Sequence, residues 1–261
     1  MMSELFVIKI GGNIIDDDQK ISTFLKNFSG FRKNKILVHG GGKLASKLAE
    51  QLNVPQKMVD GRRITDAETL KIAVMVYAGY INKKIVAELQ ANGCNAIGMT
   101  GADGNSLTAH KRVHPTTDFG FVGDVDGVQT PFFQSLLKQS VVPVVAPITH
   151  DSKGQLLNTN ADTIAQEIAK AMSGNYETTL IYLFEKSGVL ANLADENSVI
   201  SKITLSSFSK LKEQKTISDG MIPKLENAFA AINSGVKSVI IGKAEDLQEL
   251  SNGIKGTTIV S

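Results

Sequence analysis

With a single cysteine, Cys94, the 261-residue chain can form neither an internal disulfide nor a cysteine-cluster metal site, and it fits a reducing compartment. No apolar run approaches the roughly 20 residues that a membrane helix needs, so no membrane association is expected. A strand-like run begins at Leu5, which leaves no room for a secretory leader, and a cytoplasmic protein is expected. Lys and Arg (28) nearly balance Asp and Glu (26), and a formal charge of +2 gives no reason to expect nucleic acid as a partner. Two nucleotide fingerprints are missing as well. There is no G-x-x-x-x-G-K-[ST] and no G-x-G-x-x-G after the first strand, which argues against P-loop and dinucleotide sites. His39, His110, His114 and His150 lack metal-ligand spacing, and no Ser/His/Asp or Cys/His constellation can be assembled. His39, beside a glycine triplet, is read as a structural histidine.

What remains is an ordinary globular composition, 42% hydrophobic and 21% charged, in a chain long enough for one large domain or two lobes. Strand and helix patterns alternate. Leu5–Ile10 is a nearly continuous apolar run ended by Gly11-Gly12, and Ile36-Leu37-Val38 is a second, broken by Gly40-Gly41-Gly42. Thr65-Asp66-Ala67-Glu68 has capping-box spacing and opens a helix of about 25 residues, 66–92, with apolar residues on more than one stripe. Residues 106–128 read as hairpins and loops, 141–148 as a strand interrupted by two prolines, and 161–174 as a helix. Strands at 180–184, 239–241 and 257–260 and helices at 206–214 and 223–233 complete a mostly parallel sheet with helices on both faces. A lobe boundary is placed near Gly174.

The chain is organised around Leu157-Asn158-Thr159-Asn160-Ala161-Asp162-Thr163, where a strand hands over to a helix. In parallel sheets that junction opens into the ligand crevice, because strand carboxyl ends and helix amino ends face it together. One cap requires one polar residue, and here there are three. Lys9 stands in an otherwise apolar strand, where an unpaired buried ammonium would be costly, so it is expected to meet an anion at the strand's end. The two glycine turns let backbone N–H groups approach phosphate or carboxylate oxygens.

Five segments in order resemble the amino-acid kinase family, and within it the N-acetylglutamate kinases: Val7-Ile8-Lys9-Ile10-Gly11-Gly12-Asn13, Val38-His39-Gly40-Gly41-Gly42, Gly61-Arg62-Arg63-Ile64-Thr65, Asn158–Asp162 and Asp219-Gly220-Met221-Ile222-Pro223-Lys224. The resemblance implies a three-layer α/β/α sandwich of two lobes, 1–174 for the amino acid and for dimerisation and 175–261 for the nucleotide. It implies that ATP, with Mg²⁺, phosphorylates the side-chain carboxylate of an N-acylated glutamate on the path to arginine. Lys9 and Lys224 would flank the transferring phosphoryl, and Asp162 would organise both. Gly41, Gly42, Arg63, Asn158 and Asn160 would hold the amino acid, and Gly11, Gly12, Glu185, Gly188, Ser218 and Asp219 the nucleotide.

Departures from the family pattern stand at Leu183-Phe184-Glu185-Lys186-Ser187-Gly188, where an Asp is usual, and at Gly120-Phe121-Val122-Gly123, where a His is usual. The amino-terminal helix of the arginine-inhibited hexameric members has no counterpart, so an uninhibited homodimer through the 66–92 helix is expected. Other readings of the same fold are a kinase with a different acceptor (carbamate, glutamate or aminoadipate derivatives) and a non-catalytic sensor. Arg62 beside Arg63, with Lys111, Arg112 and His114, raises N-succinylglutamate as an alternative substrate, because a third carboxylate needs a partner once desolvated.

Overall fold

The computed structural model describes residues 2–59, 62–192, 194–214, 216–217 and 221–261, and the backbone alone of Arg62. In chain order it contains β1 (Glu4–Ile10), α1 (Gly12–Ile15), α2 (Asp18–Gly30), β2 (Asn34–His39), α3 (Gly42–Gln51), and a hairpin of β3 (Lys57–Val59) and β4 (Arg62–Ile64). A long helix then runs from α4 (Ala67–Ala73) through a π-helical stretch (Val74–Ile81) into α5 (Asn82–Ala91). Next come β5 (Ala96–Met99), β6 (Leu107–Lys111), β7 (Gly123–Val128), α6 (Thr130–Lys138), β8 (Val142–Val145), β9 (Ile148–His150), β10 (Leu156–Asn158) and α7 (Ala161–Met172). The remainder supplies β11 (Glu177–Phe184), β12 (Lys202–Ile203), α8 (Leu205–Glu213), α9 (Ile222–Asn233), β13 (Ser238–Lys243), α10 (Leu247–Ser251) and β14 (Thr257–Ile259).

Among the described residues, eight strands form the central sheet in the order β12-β14-β13-β11-β1-β2-β8-β5. Every pair from β13 across to β5 is parallel, and β14 runs antiparallel to β13. Strand alternation in β1 builds the two cores. Phe6, Ile8 and Ile10 join one with Phe24 and Phe28 of α2 and Ile85 of α5, while Leu5 and Val7 join the other with Ile164 and Ile168 of α7 and Phe229 of α9. Each such side chain contributes about 1.5–3 kcal/mol relative to an exposed one. The result is the expected three-layer sandwich. Lys9 takes the next position on the α7 face, which aims it at the amino end of that helix.

A smaller sheet, β10-β9-β6-β7, and the β3-β4 hairpin stand beside the main sheet. A single bridge Thr65–Gly120 ties the chain after the hairpin to the loop before β7, and another, Val122–Asn158, joins that loop to β10. The expected strand at 141–148 is two strands, because the chain leaves the main sheet after Val145 and enters the small one at Ile148. Pro147 stands in that passage, where no ladder N–H is needed. The expected capping box also shifts by one residue. Asp66 caps α4 by accepting from the Thr69 N–H at 2.8 Å, which releases Thr65 to turn inward toward Asn158. The β3-β4 hairpin, β12, α10 and the π-helical stretch have no counterpart among the sequence expectations, since each is too short or too similar to its flanks to show a period of its own.

Candidate active site

The carboxyl ends of β1, β2 and β11 meet the amino ends of α3 and α7. Lys9, 8% exposed, places its Nζ 2.7 Å from Asp162 Oδ1, and among the described residues that oxygen takes no further hydrogen bond. Asp162 lies in the first turn of α7, where a carboxylate also suits the helix dipole. Asn160 caps the same helix, its side-chain oxygen accepting from the N–H groups of Asp162 at 2.8 Å and Thr163 at 3.2 Å. Tyr182, beside Lys9 on the neighbouring strand, donates to the Asp162 carbonyl at 3.2 Å. Burial pushes the Tyr182 hydroxyl well above its ordinary range, and the Asp162 and Glu167 carboxylates add to the effect.

Lys224 enters from the start of α9 and is exposed. Asp162, the carboxylate expected to organise both lysines, pairs here with Lys9, and no direct ion pair joins it to Lys224. Its ammonium instead lies 4.1 Å from the Phe184 ring centroid, and the Lys9 ammonium lies 5.8 Å from the same ring. Phe184 thus holds two cations on one aromatic ring. Phe184 belongs to the segment that departs from the family pattern.

Two cavities open at this centre. The first, about 220 Å³, has the Gly40-Gly41-Gly42 turn, Arg63, Asn158 and Asn160 in its wall. Arg63 Nη2 donates to the Gly42 carbonyl at 3.0 Å and to Ser46 Oγ at 2.8 Å, and Nη1 donates to Gln56 Oε1, so the guanidinium is fixed against α3. The Asn158 amide donates to Thr65 Oγ1 at 3.0 Å. Thr159, the third polar residue of the junction, turns into the interior and bonds Thr149 Oγ1 at 2.7 Å. Gly41 has φ +148°, and α3 starts behind it without a side-chain cap, leaving its first N–H groups to face the cavity. Tyr77 and Arg112 also line this wall. Tyr77 counts in the sequence as one apolar position of a long helix, and its place in the π-helical stretch, a common feature of functional sites, is not visible there. Arg112, which shows in the sequence only as loop charge, is held by the Asp124 carboxylate through Nε and Nη2.

The second cavity, about 540 Å³, is lined by Lys9, Gly11, Gly12, Glu185, Gly188 and Lys224, and it shares Gly42 with the first. Gly188 is small for a packing reason, since a Cβ there would stand 2.7 Å from Thr257 Oγ1. Lys186 is drawn into an ion pair with Glu196 at 2.9 Å. Ser218, Asp219 and Gly61 lie outside the described residues, as does the Arg62 side chain.

The sequence pattern of the amino acid kinase family matches residues 4–243. The chain belongs to the amino acid kinase family. It is 54% identical over all of both chains to a protein named acetylglutamate kinase from Cytophaga hutchinsonii. It is 51% identical to one of the same name from Phocaeicola vulgatus, over 97% of this chain and 99% of that one. Solved structures of the same fold include N-acetylglutamate synthase from Neisseria gonorrhoeae (TM-score 0.82, 22% identity, 99% of this chain on 59% of that one). Carbamate kinase from Giardia lamblia is another (TM-score 0.71, 13% identity, 100% of this chain and 99% of that one).

In this family member His39 is fully buried, its Nδ1–H donating to the Gly40 carbonyl at 2.8 Å and its Nε2 accepting from the Asn82 amide at 3.1 Å. Those partners fix the neutral ring and orient the glycine turn. Burial pulls the imidazole down to about 4, against the opposing Gly40 hydrogen bond. Since the folded value is below the ordinary 6.5, the unfolded chain binds the extra proton, and this residue's contribution is intact above pH 6.5 and lost as pH falls toward 4. The loss amounts to roughly 3 kcal/mol at its full extent. Urea unfolding at pH 7 and pH 5 is expected to show about 2 kcal/mol of this loss in the wild type and its absence in His39→Gln. Equal losses in both proteins would remove His39 from that role.

Proposed function

We propose that the chain transfers the γ-phosphoryl group of ATP to the side-chain carboxylate of N-acetylglutamate, giving an acyl phosphate and ADP. The observation that carries this reading is the meeting of the two cavities at Gly42, with Lys9 in the wall of the second held by Asp162, which directly follows Asn160 and Ala161 of the first. Full-length relatives named acetylglutamate kinase support the choice of acceptor. A glutamate side-chain carboxylate, which ordinarily titrates near pH ~4.3, is already ionised at neutral pH, so the reaction needs no protein base. It needs in-line positioning and cations against the charge on the equatorial oxygens. Lys9 and Lys224 supply those cations, and Asp162 holds Lys9 in place. Arg63 and Asn158, with Asn160 and the N–H groups of Gly41 and Gly42, hold the amino acid. Gly11, Gly12, Glu185, Gly188, Ser218 and Asp219 are assigned to the nucleotide. Residues 1–174 then form the amino-acid lobe and 175–261 the nucleotide lobe.

Mg²⁺, when bound, neutralises charge on the nucleotide phosphates. Among the described residues no cluster of three or more His, Cys, Asp or Glu side chains could cage it. That donor set suits a cation that arrives on phosphate oxygens and keeps its waters, with Glu185 as the carboxylate of this wall.

ADP release measured with N-acetylglutamate, N-succinylglutamate, free glutamate, carbamate and aminoadipate tests the reading, with hydroxylamine trapping of the acyl phosphate. N-acetylglutamate is expected to be consumed with one hydroxamate formed per ADP. Absence of turnover with any acylated glutamate would overturn it. Arg112 favours a second reading, N-succinylglutamate, because its guanidinium adds a second carboxylate-binding group to the amino-acid cavity. A higher kcat/KM for that substrate would select it.

Assembly as a homodimer through the long helix is part of the proposal. Met75 (52% exposed) and Tyr80 (60%) on that helix and Ile97 (42%) on the edge strand β5 leave apolar surface that a two-fold contact would cover. Sedimentation at micromolar concentration is expected to give twice 28.0 kDa. A monomer or a hexamer would refute it. No helix among the described residues is long and apolar enough to cross a membrane; a cytoplasmic location is proposed on the same footing as the biosynthetic role.

A further inference from the structure

One lysine of the nucleotide cavity, Lys43, has no part in the proposed phosphoryl transfer, and the role inferred for it rests on that function. Lys43 is the second residue of α3, and it lines the cavity with Lys9, Lys186 and Lys224 against a single acid, Glu185, among the described residues. The other three lysines are each engaged: Lys9 by Asp162, Lys186 by Glu196 and Lys224 by the Phe184 ring. Lys43 donates to the neutral Asn13 Oδ1 at 2.6 Å and makes a longer ion pair with Asp16 at 3.9 Å. Asn13 follows Gly11-Gly12 and also lines the cavity, so the contact ties the two glycine turns together across its mouth.

Among the described residues the ammonium is held by the Asn13 amide and, at longer range, by the Asp16 carboxylate. A cation in the first turn opposes the helix dipole, and α3 has neither an acid there nor a side-chain cap, as is also true of α9 with Lys224. An anion in the nucleotide cavity would offset that cost by giving the ammonium a charged partner. The cavity's proposed occupant is such an anion.

Position decides which phosphate. Lys9 and Lys224, the cations assigned to transfer, share the Phe184 ring, whereas Lys43 is held apart from them on Asn13, beyond the Gly11-Gly12 turn. A charge set apart from the transferring group meets the same phosphates before and during transfer. We propose that Lys43 is a third cation of the nucleotide cavity and reads the phosphates of ATP and ADP that do not transfer, so that it sets nucleotide affinity and not the rate of transfer.

The test compares wild type, Lys43→Gln and Lys43→Arg by steady-state kinetics, ADP titration and inhibition by adenosine. Lys43→Gln is expected to raise the KM for ATP and the Kd for ADP together by about 10-fold, with kcat within about threefold of wild type. The adenosine inhibition constant, the KM for N-acetylglutamate and the melting temperature should stay in place, and Lys43→Arg should restore most of the ADP affinity. An unchanged ADP Kd, or an equal rise in the adenosine constant, would overturn the proposal. So would a fall in kcat with ADP affinity intact. A wild type that neither binds ADP nor releases it from ATP would overturn the kinase reading itself, whereas a competent wild type matched by Lys43→Gln sinks the Lys43 role alone.

Discussion

Lys9→Met is expected to lower kcat by about 10²-fold or more while the protein still folds. The lysine occupies a β1 position whose neighbours on the same face, Leu5 and Val7, are core residues, so methionine fits the site and relieves the chain of a buried charge. What is lost is a cation held 2.7 Å from Asp162 in the wall of the second cavity. The converse substitution separates stability from catalysis. Asp162→Ala leaves the Lys9 ammonium buried without its anion and should be the more destabilising of the two, though by less than the roughly 3–5 kcal/mol of a fully buried pair, because the Asp162 side chain is 41% exposed. Turnover, melting temperature and urea midpoint for both variants decide the matter. Near-wild-type kcat in Lys9→Met would take that residue out of the chemistry.

Gly41→Ala is the second large effect, and it acts through geometry. The residue has φ +148°, a conformation that side chains rarely adopt, and a Cβ built there falls 2.2 Å from Ile81 Cδ1 and 3.2 Å from the Tyr77 ring. Backbone strain of about 1–3 kcal/mol and overpacking of similar size are expected together. The turn carries the first N–H groups of α3 into the amino-acid cavity, so the KM for N-acetylglutamate should rise by about 10-fold or more along with the loss of stability. Adding Ile81→Val removes the clashing methyl and should recover the steric part, while the part due to φ persists. A Gly41→Ala protein with unchanged KM and stability would mean that the turn does not need glycine.

The sheet and its helices are legible in the sequence because their signals are local. Apolar runs ended by glycines mark β1 and β2, four-residue spacing marks α3, and Asn160 before Ala161-Asp162 marks the start of α7. Lys9 stands out for the same kind of reason, a charge in a strand that is otherwise apolar. The long helix is visible by period, but its π-helical stretch is not, since Val74–Ile81 is apolar nearly all round and presents no separate face. Capping-box spacing points to Thr65 where Asp66 is the cap, because both residue types cap helices, and only the fold shows that Thr65 is used by Asn158, 93 residues further on.

What the sequence determined by itself is therefore the class of the fold, the two glycine turns, and the identity of the residues that stand at strand and helix ends. These follow from periodicity and backbone preference, which act over a few neighbours. The tertiary structure alone decided which of those residues meet. It paired Lys9 with Asp162 but laid Lys224 over Phe184, fixed Arg63 through Gln56 and Ser46, and brought Tyr77, Arg112 and Lys43 to cavity walls. The physical reason is that a charge or a hydroxyl carries no period of its own. Its partner is set by the order and register of strands far apart in the chain, and a one-residue change of register would have turned Lys9 to the opposite face of the sheet.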